Sequence, residues 1–405
     1  MRFKPLAAVA GVAIAAMAMS LAPNVVYAQS RAHNATVNKK VCHPIVIGAA
    51  IAKTGFMVSF DTPDMNGFKL EMNQINAGGG IDCRKLKLIE ANTNSTTAGA
   101  KQAATDLIAK GAQILLVTAN YDVGAPAGLV AQAHGILNIS IGAASPLYGV
   151  QGVGNLAFMV APATYLEGAT MATFSKQQGW TRAIILCDVS LDYSAQMCTG
   201  YKDEGTKLGL HMTEITFENS DASIASQVAA IKSSNAQVIA LCSYTPGGAT
   251  AMRQVRAGGV SLPTLSGIGM AGTYWLTSVP HLSNYYTMSS ASIYGDDPNP
   301  EVNTFVKEYV KAYGGLPQTD AAVGGYTAGQ MIDIAVQEAG GVTKGSVLAG
   351  LLEKFKNVPL LSGPTTFTKT LHIPASRPLV VIKYTNGKPA YLETLPVKGP
   401  VNFHL

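Results

Sequence analysis

Strand-length apolar runs alternate with segments of helical period along most of the chain, and no other feature limits its fold as tightly. Pro44-Ile45-Val46-Ile47-Gly48 reads as a strand buried on both faces, and Met65, Phe68, Met72 and Ile75 then recur at helical spacing. Ala77-Gly78-Gly79-Gly80 closes that helix. A strand over 85–91, a helix over 95–110, a strand over 114–118, a helix over 125–134 and a strand over 136–141 follow. A βαβ series of this kind makes a parallel sheet with helices on both faces.

A second series begins near Phe158. Thr164 and Glu167 have the spacing of a capping box, opening a helix that runs to Gly179. Strands are expected over 183–187, 212–217, 238–241 and 264–266, with helices between them. Ala112-Gln113-Ile114-Leu115-Leu116 and Ala236-Gln237-Val238-Ile239-Ala240 share a pattern, and the same interval leads from each Gln to Gly135-Ile136 and Gly259-Val260. Such an echo implies two sheets with equivalent loops. A strand over 285–291, helices over 301–313, 322–338 and 346–355, and a strand over 379–384 complete the chain. The late helices read as cover for the first sheet, so discontinuous domains joined by several crossings are expected.

At 405 residues the chain suits two domains of roughly 150 residues or more. With 48% hydrophobic and 13% charged residues it buries ample apolar surface, which excludes a disordered chain. A net charge of +5 without a long Lys/Arg run argues against a nucleic-acid partner. Arg2 and Lys4 precede an apolar run from Leu6 to Leu21, and Val26-Tyr27-Ala28 has the small residues of a cleavage site. Residues 1–28 are therefore expected to be an export signal, because the run falls short of the roughly 20 residues a membrane span needs. Removing them would leave 377 residues and bring the charge from +5 to +3.

Five Cys suit an oxidising compartment. Cys42 and Cys83 each precede a strand, so if those strands are parallel neighbours a disulfide can form at one sheet edge. Cys187, Cys198 and Cys242 are read as small apolar fillers or a second bridge. No CxxC occurs and the seven His are scattered, so no metal site and no cofactor are expected.

Gly267-x-Gly269-x-x-Gly272 matches the dinucleotide fingerprint, but the acidic residue required about 20 positions on is missing. The loop reads instead as backbone that must approach something small. No nucleophile elbow, HExxH or P-loop Lys is present. Asp188 and Asp192 are expected to orient a turn and cap the helix near Tyr193 rather than to act as an acid/base pair. What remains is a set of small and aromatic residues at strand ends, where α/β sheets bind ligands: Asn120-Tyr121, Gly142-Ala143-Ala144-Ser145, Tyr193, Tyr244 and Gly269-Met270.

Ile45-Val46-Ile47-Gly48, Thr54-Gly55, Ile75-Asn76-Ala77-Gly78-Gly79-Gly80-Ile81, Gly135-Ile136-Leu137 and Ala335-Val336-Gln337-Glu338-Ala339-Gly340 together resemble the leucine/isoleucine/valine-binding family of periplasmic solute-binding proteins. The resemblance spans nearly all of the chain after the signal. It implies two Rossmann-like lobes on a three-strand hinge, with 42–156 plus 285–360 in the first lobe and 157–284 plus 361–405 in the second. It further implies a monomer without enzymatic activity, exported to the periplasm, that closes on a small ligand and presents it to an ABC permease. A sensor module feeding a membrane receptor is the alternative from the signalling class. By position, Ser59-Phe60, Asn120-Tyr121 and Gly142-Ala143-Ala144 would hold a ligand carboxylate. Tyr193 and Tyr244 would come from the second lobe, and Tyr165, Gly269 and Met270 complete the candidate set.

The family's acidic partner for a ligand ammonium falls on Gly269. A buried ammonium without a carboxylate would be costly by several kcal/mol. The expected ligand is therefore a carboxylate with an aromatic or hydrophobic body, such as a benzoate-type or phenylpropanoid acid. A branched-chain amino acid is the alternative, with Asp122 or Asp192 rescuing the ammonium.

Overall fold

A computed structural model describes residues 42–397 and 403. The expected signal at 1–28, and the polar lead after it, lie outside the described residues. Strands Ile45–Ile51 (β1), Leu86–Asn92 (β2), Ile114–Val117 (β3), Leu137–Ser140 (β4) and Ala157–Met159 (β5) form the first sheet, all parallel, in the order β2-β1-β3-β4-β5. The alternating residues of β1 decide its two cores. Ile45, Ile47, Ala49 and Ile51 meet helices Val58–Ala77 (α1), Ala321–Glu338 (α9) and Gly345–Leu352 (α10), while Ala50 turns toward Thr97–Ala109 (α2) and Tyr121–Ala133 (α3).

The second sheet repeats the plan. Arg182–Asp188 (β6), His211–Phe217 (β7), Val238–Cys242 (β8), Thr264–Ser266 (β9) and Tyr285–Ser289 (β10) are parallel, and the hairpin Leu379–Thr385 (β13) with Lys388–Leu395 (β14) extends the sheet antiparallel to β10. Ile184 and Leu186 face helices Ala225–Ser233 (α6) and Gly247–Ala257 (α7). Ala183, Ile185 and Cys187 face Thr164–Gln177 (α4) and Asp192–Lys207 (α5). Helix Pro300–Tyr313 (α8) and the short hairpin Val358–Leu360 (β11) with Gly363–Thr365 (β12) pack on the first lobe beside α1 and α9.

The internal echo has a structural counterpart. The Gln113 side-chain oxygen accepts from Val46 N–H at 3.1 Å, and Gln237 accepts from Thr181 and Arg182 N–H at 2.9 and 3.2 Å. Each Gln thus ties the start of a central strand to its neighbour.

The chain crosses between sheets three times, over 160–163, 290–299 and 366–378. These crossings correct the expected lobe boundaries by a few residues. Ala157–Met159 pairs with β4 in the first sheet and Tyr285–Ser289 pairs with β9 in the second, so cuts before 157 and before 285 each put a strand in the wrong lobe. The third crossing likewise lies beyond 361, since Phe367 still packs in the first core. Short crossing strands carry no pattern of their own, and their sheet is fixed only by register.

Cys42 and Cys83 form a disulfide at the sheet edge, and Cys187 bonds Cys198, joining β6 to α5. Cys242 is a buried free thiol.

Candidate functional site

The three crossings floor a cavity between the lobes. It is lined by Met57, Phe60 and Asp64 of the first α/β loop and α1, by Asn120, Gly142 and Ala144 at strand ends, and by Val160, Ser290, Asp320, Ser362 and Arg377 near the crossings. Glu167, Tyr193, Tyr244, Ile268 and Gly269 close it from the second lobe. Its volume is about 70 Å³, room for several waters.

Of the candidates named from sequence, Phe60, Asn120, Gly142, Ala144, Tyr193, Tyr244 and Gly269 meet at this cavity. Asn120 also caps α3, its side chain accepting from Val123 N–H at 2.9 Å. Ser140 Oγ accepts from the Ala143 amide at 2.9 Å, and the Ala144 carbonyl accepts both Thr164 N–H and Thr164 hydroxyl. The remaining four lie elsewhere. Ala143 and Met270 are core residues, Tyr121 packs against the first-lobe core, and Tyr165 donates to Asp203 on α5. Ser59 lines a separate outer groove with Thr245 and Tyr274.

The glycine loop approaches side chains of its own lobe. Tyr193 hydroxyl donates to Glu167 Oε2 at 2.9 Å and accepts from Gly269 N–H at 2.7 Å, while Ile268 N–H donates to the same Glu167 oxygen at 2.8 Å. A Cβ at Gly267 would lie 2.0 Å from Glu167 Oε2, and one at Gly269 would lie 2.8 Å from the Tyr193 ring. Tyr193 and Tyr244 meet edge to face with ring centroids 6.5 Å apart, and Phe56 of the first lobe lies 6.0 Å from Tyr244.

The expected capping box at Thr164 and Glu167 is therefore not formed. Ala163 occupies the N-cap, Thr164 is engaged by the Ala144 carbonyl, and Glu167 turns into the cleft instead of reaching back. Asp188 does orient its turn, accepting from Ser190 N–H at 3.0 Å, but Asp192 lies inside the first turn of α5 behind Leu191 and caps nothing. Asp122 and Asp192 do not line the cavity. They face one another across the lobes, with Asp192 N–H 3.3 Å from Asp122 Oδ2.

Four charged residues that the sequence reading did not select as site residues also line the cavity. Arg377 is 1% exposed; it donates to the Val160 carbonyl at 2.7 Å and the Thr365 hydroxyl at 2.6 Å, its Nε lacks a partner, and it forms no ion pair among the described residues. Burial brings it down to about 9, which leaves it cationic at neutral pH. Glu167, Asp64 and Asp320 are buried, and Glu167 Oε1, both Asp64 oxygens and Asp320 Oδ1 lack well-formed hydrogen bonds. Burial pushes Glu167 up to about 8, Asp320 up to about 6 and Asp64 well above the usual carboxylate range. One signal for Asp64 was available: it stands one helical turn before Phe68, an acid on an apolar face.

A family model described as periplasmic binding protein matches residues 44–389. The Leu/Ile/Val-binding protein homolog 1 of Brucella suis is 22% identical over 319 residues, covering 78% of this chain and 84% of the relative. Among solved structures, the branched-chain amino acid transporter substrate-binding protein LivJ of Streptococcus pneumoniae, in complex with isoleucine, superposes with a TM-score of 0.78 at 21% identity, over 87% of this chain and 99% of that one. A solute-binding protein of an ABC transporter from R. palustris, in complex with benzoate, gives 0.76 at 20% identity, over 88% and 98%. Both structures share the two-lobed fold, and the family match covers nearly all of the described body: the chain belongs to the periplasmic binding protein family.

Proposed function

We propose that this chain is the exported solute-binding subunit of an ABC uptake transporter and closes on a small carboxylate with an apolar or aromatic body. The buried, unpaired Arg377 carries the reading. A guanidinium without a counter-ion inside a cavity of mostly apolar walls is costly, and an incoming carboxylate removes that cost. Phe60, Ile141, Val160, Tyr193 and Tyr244 supply the walls for the ligand body. The two disulfides fit an oxidising compartment outside the cytoplasm. Similar proteins hold isoleucine in one case and benzoate in another, both carboxylates. Hinge closure would then present the loaded form to the permease.

Thermal-shift measurements with 3-phenylpropanoate, benzoate, phenylalanine and leucine, each beside its methyl ester, test the reading. The acids should raise the unfolding temperature and the esters should not, because a ligand that binds only the folded form stabilises it by mass action. Stabilisation by esters alone, or by no acid, would overturn it.

A further inference from the structure

The glycine loop of the second lobe is shaped around a carboxylate that another element delivers. Gly267 and Gly269 lack side chains where a Cβ would collide with Glu167 and Tyr193, and Glu167 Oε2 fills that space, fixed by Ile268 N–H and the Tyr193 hydroxyl. The other oxygen, Oε1, is buried without a partner on a residue that lines the cavity. A buried carboxyl oxygen without a partner is costly whether it is ionised or protonated. A ligand N–H would meet it. We infer that Glu167 is the residue by which the cleft selects an amine-bearing acid over the same acid without its amine, the ligand ammonium donating to Glu167 Oε1. The inference rests on the carboxylate reading and sharpens it. Gly269 itself carries no acid, and α4 brings one to the same loop.

The groups facing Glu167 are Tyr193 of α5, Cys242 of β8, Asp320 at the start of α9 and the Ile268 amide, with Asp64 and Arg377 elsewhere on the cavity wall. None of the first four is a cation. With Glu167 pushed by burial up to about 8, an arriving ammonium at pH 7 meets a protonated carboxyl and displaces its proton.

Calorimetric titration with two matched pairs, leucine against 4-methylpentanoate and phenylalanine against 3-phenylpropanoate, in buffers of different ionisation enthalpy, tests this. In at least one pair the amine-bearing member should bind about tenfold tighter or more and release up to one proton per ligand at pH 7. Glu167→Gln, whose amide oxygen can still accept from Ile268 and Tyr193, should narrow that preference to about threefold or less. Equal affinity within both pairs, no proton release, or a preference unchanged in Glu167→Gln would overturn the inference and leave the carboxylate reading standing. Failure of all four acids to bind would overturn both. The proton count in the unsubstituted protein decides the matter even if the variant does not fold.

Discussion

Glu167 shows how one residue can satisfy a local rule in sequence and a different one in the fold. Thr164-x-x-Glu167 has capping-box spacing, yet α4 begins against the Ala144 carbonyl, and the glutamate bonds Tyr193 and the Ile268 amide in the cleft instead. The same side chain sets a pH dependence. Its carboxyl is raised from 4.5 to about 8, so in that interval the folded chain keeps a proton that the unfolded chain has lost. Its contribution to stability is complete below about pH 4.5 and is lost as pH rises through about 8. Without ligand, the denaturant midpoint should therefore fall between about pH 4.5 and 8 and level off above, and Glu167→Gln should make that fall shallower. An identical slope in the variant would count against the buried, protonated state. The sequence reading missed Glu167, Asp320 and Arg377 because nothing local distinguishes a charge that folds into a cavity from one that stays in water. Tertiary register alone makes that difference. Tyr193 and Tyr244, read from strand ends that are predictable in an α/β alternation, do line the cavity, whereas Tyr121 and Tyr165 do not.

Helix pairs fix where these side chains sit, and interior glycines fix the helix pairs. On α4, a Cβ at Gly168 would lie 2.0 Å from the Met197 carbonyl of α5, and one at Gly200 of α5 would lie 2.0 Å from the Tyr165 carbonyl of α4. The two backbones touch there, one residue along from Glu167 and two turns from Tyr193. Helices α1 and α9 meet the same way through Gly67 and Gly325. The sequence reading gave the glycines to helix ends and ligand approach, and it overlooked this use because a close helix crossing requires knowing the partner helix. Gly200→Ala should cost about 1–3 kcal/mol by overpacking and should also weaken ligand binding, since α4 and α5 can part only by moving Glu167 away from Tyr193. Gly350 of α10 is the contrast, with open space around its Cβ position. Gly350→Ala should stabilise by about 0.5–1 kcal/mol through helix propensity alone. Chemical denaturation of the two variants checks both signs, and a neutral Gly200→Ala would mean the crossing has slack. The central strands and most helices were readable to within a few residues, because those strands are continuous apolar runs buried on both faces, whereas the alternating edge strand β14 and the short hairpin of β11 and β12 carry no such run and were not read.

Across the whole molecule, the proposed function would have the lobes open and close about the three crossings, and the charges that meet between the lobes would then add to the cost of closing. Asp122 in the first turn of α3 and Asp192 in the first turn of α5 come together from opposite lobes, close enough that the Asp192 amide reaches Asp122 Oδ2. Burial, and then the nearby Asp192 charge, hold the Asp122 carboxyl above its usual range. Two carboxylates brought together repel, so under the proposed function part of the ligand's binding free energy would go against that repulsion. Asn at 122 keeps an oxygen for the Asp192 amide and removes the charge. Asp122→Asn should therefore favour the closed form and tighten binding of any ligand that requires closure by roughly two- to fivefold, the scale of a partly exposed like-charge pair. The gain should shrink as pH falls and Asp122 of the unsubstituted protein takes up a proton, because the repulsion then disappears without the substitution. Calorimetry across pH 4–8 would follow the affinity, and small-angle scattering would show whether the ligand-free variant is already more compact. Weaker binding in Asp122→Asn would mean that the carboxylate's hydrogen bond to the Asp192 amide outweighs the repulsion, and that this contact holds the lobes together rather than apart.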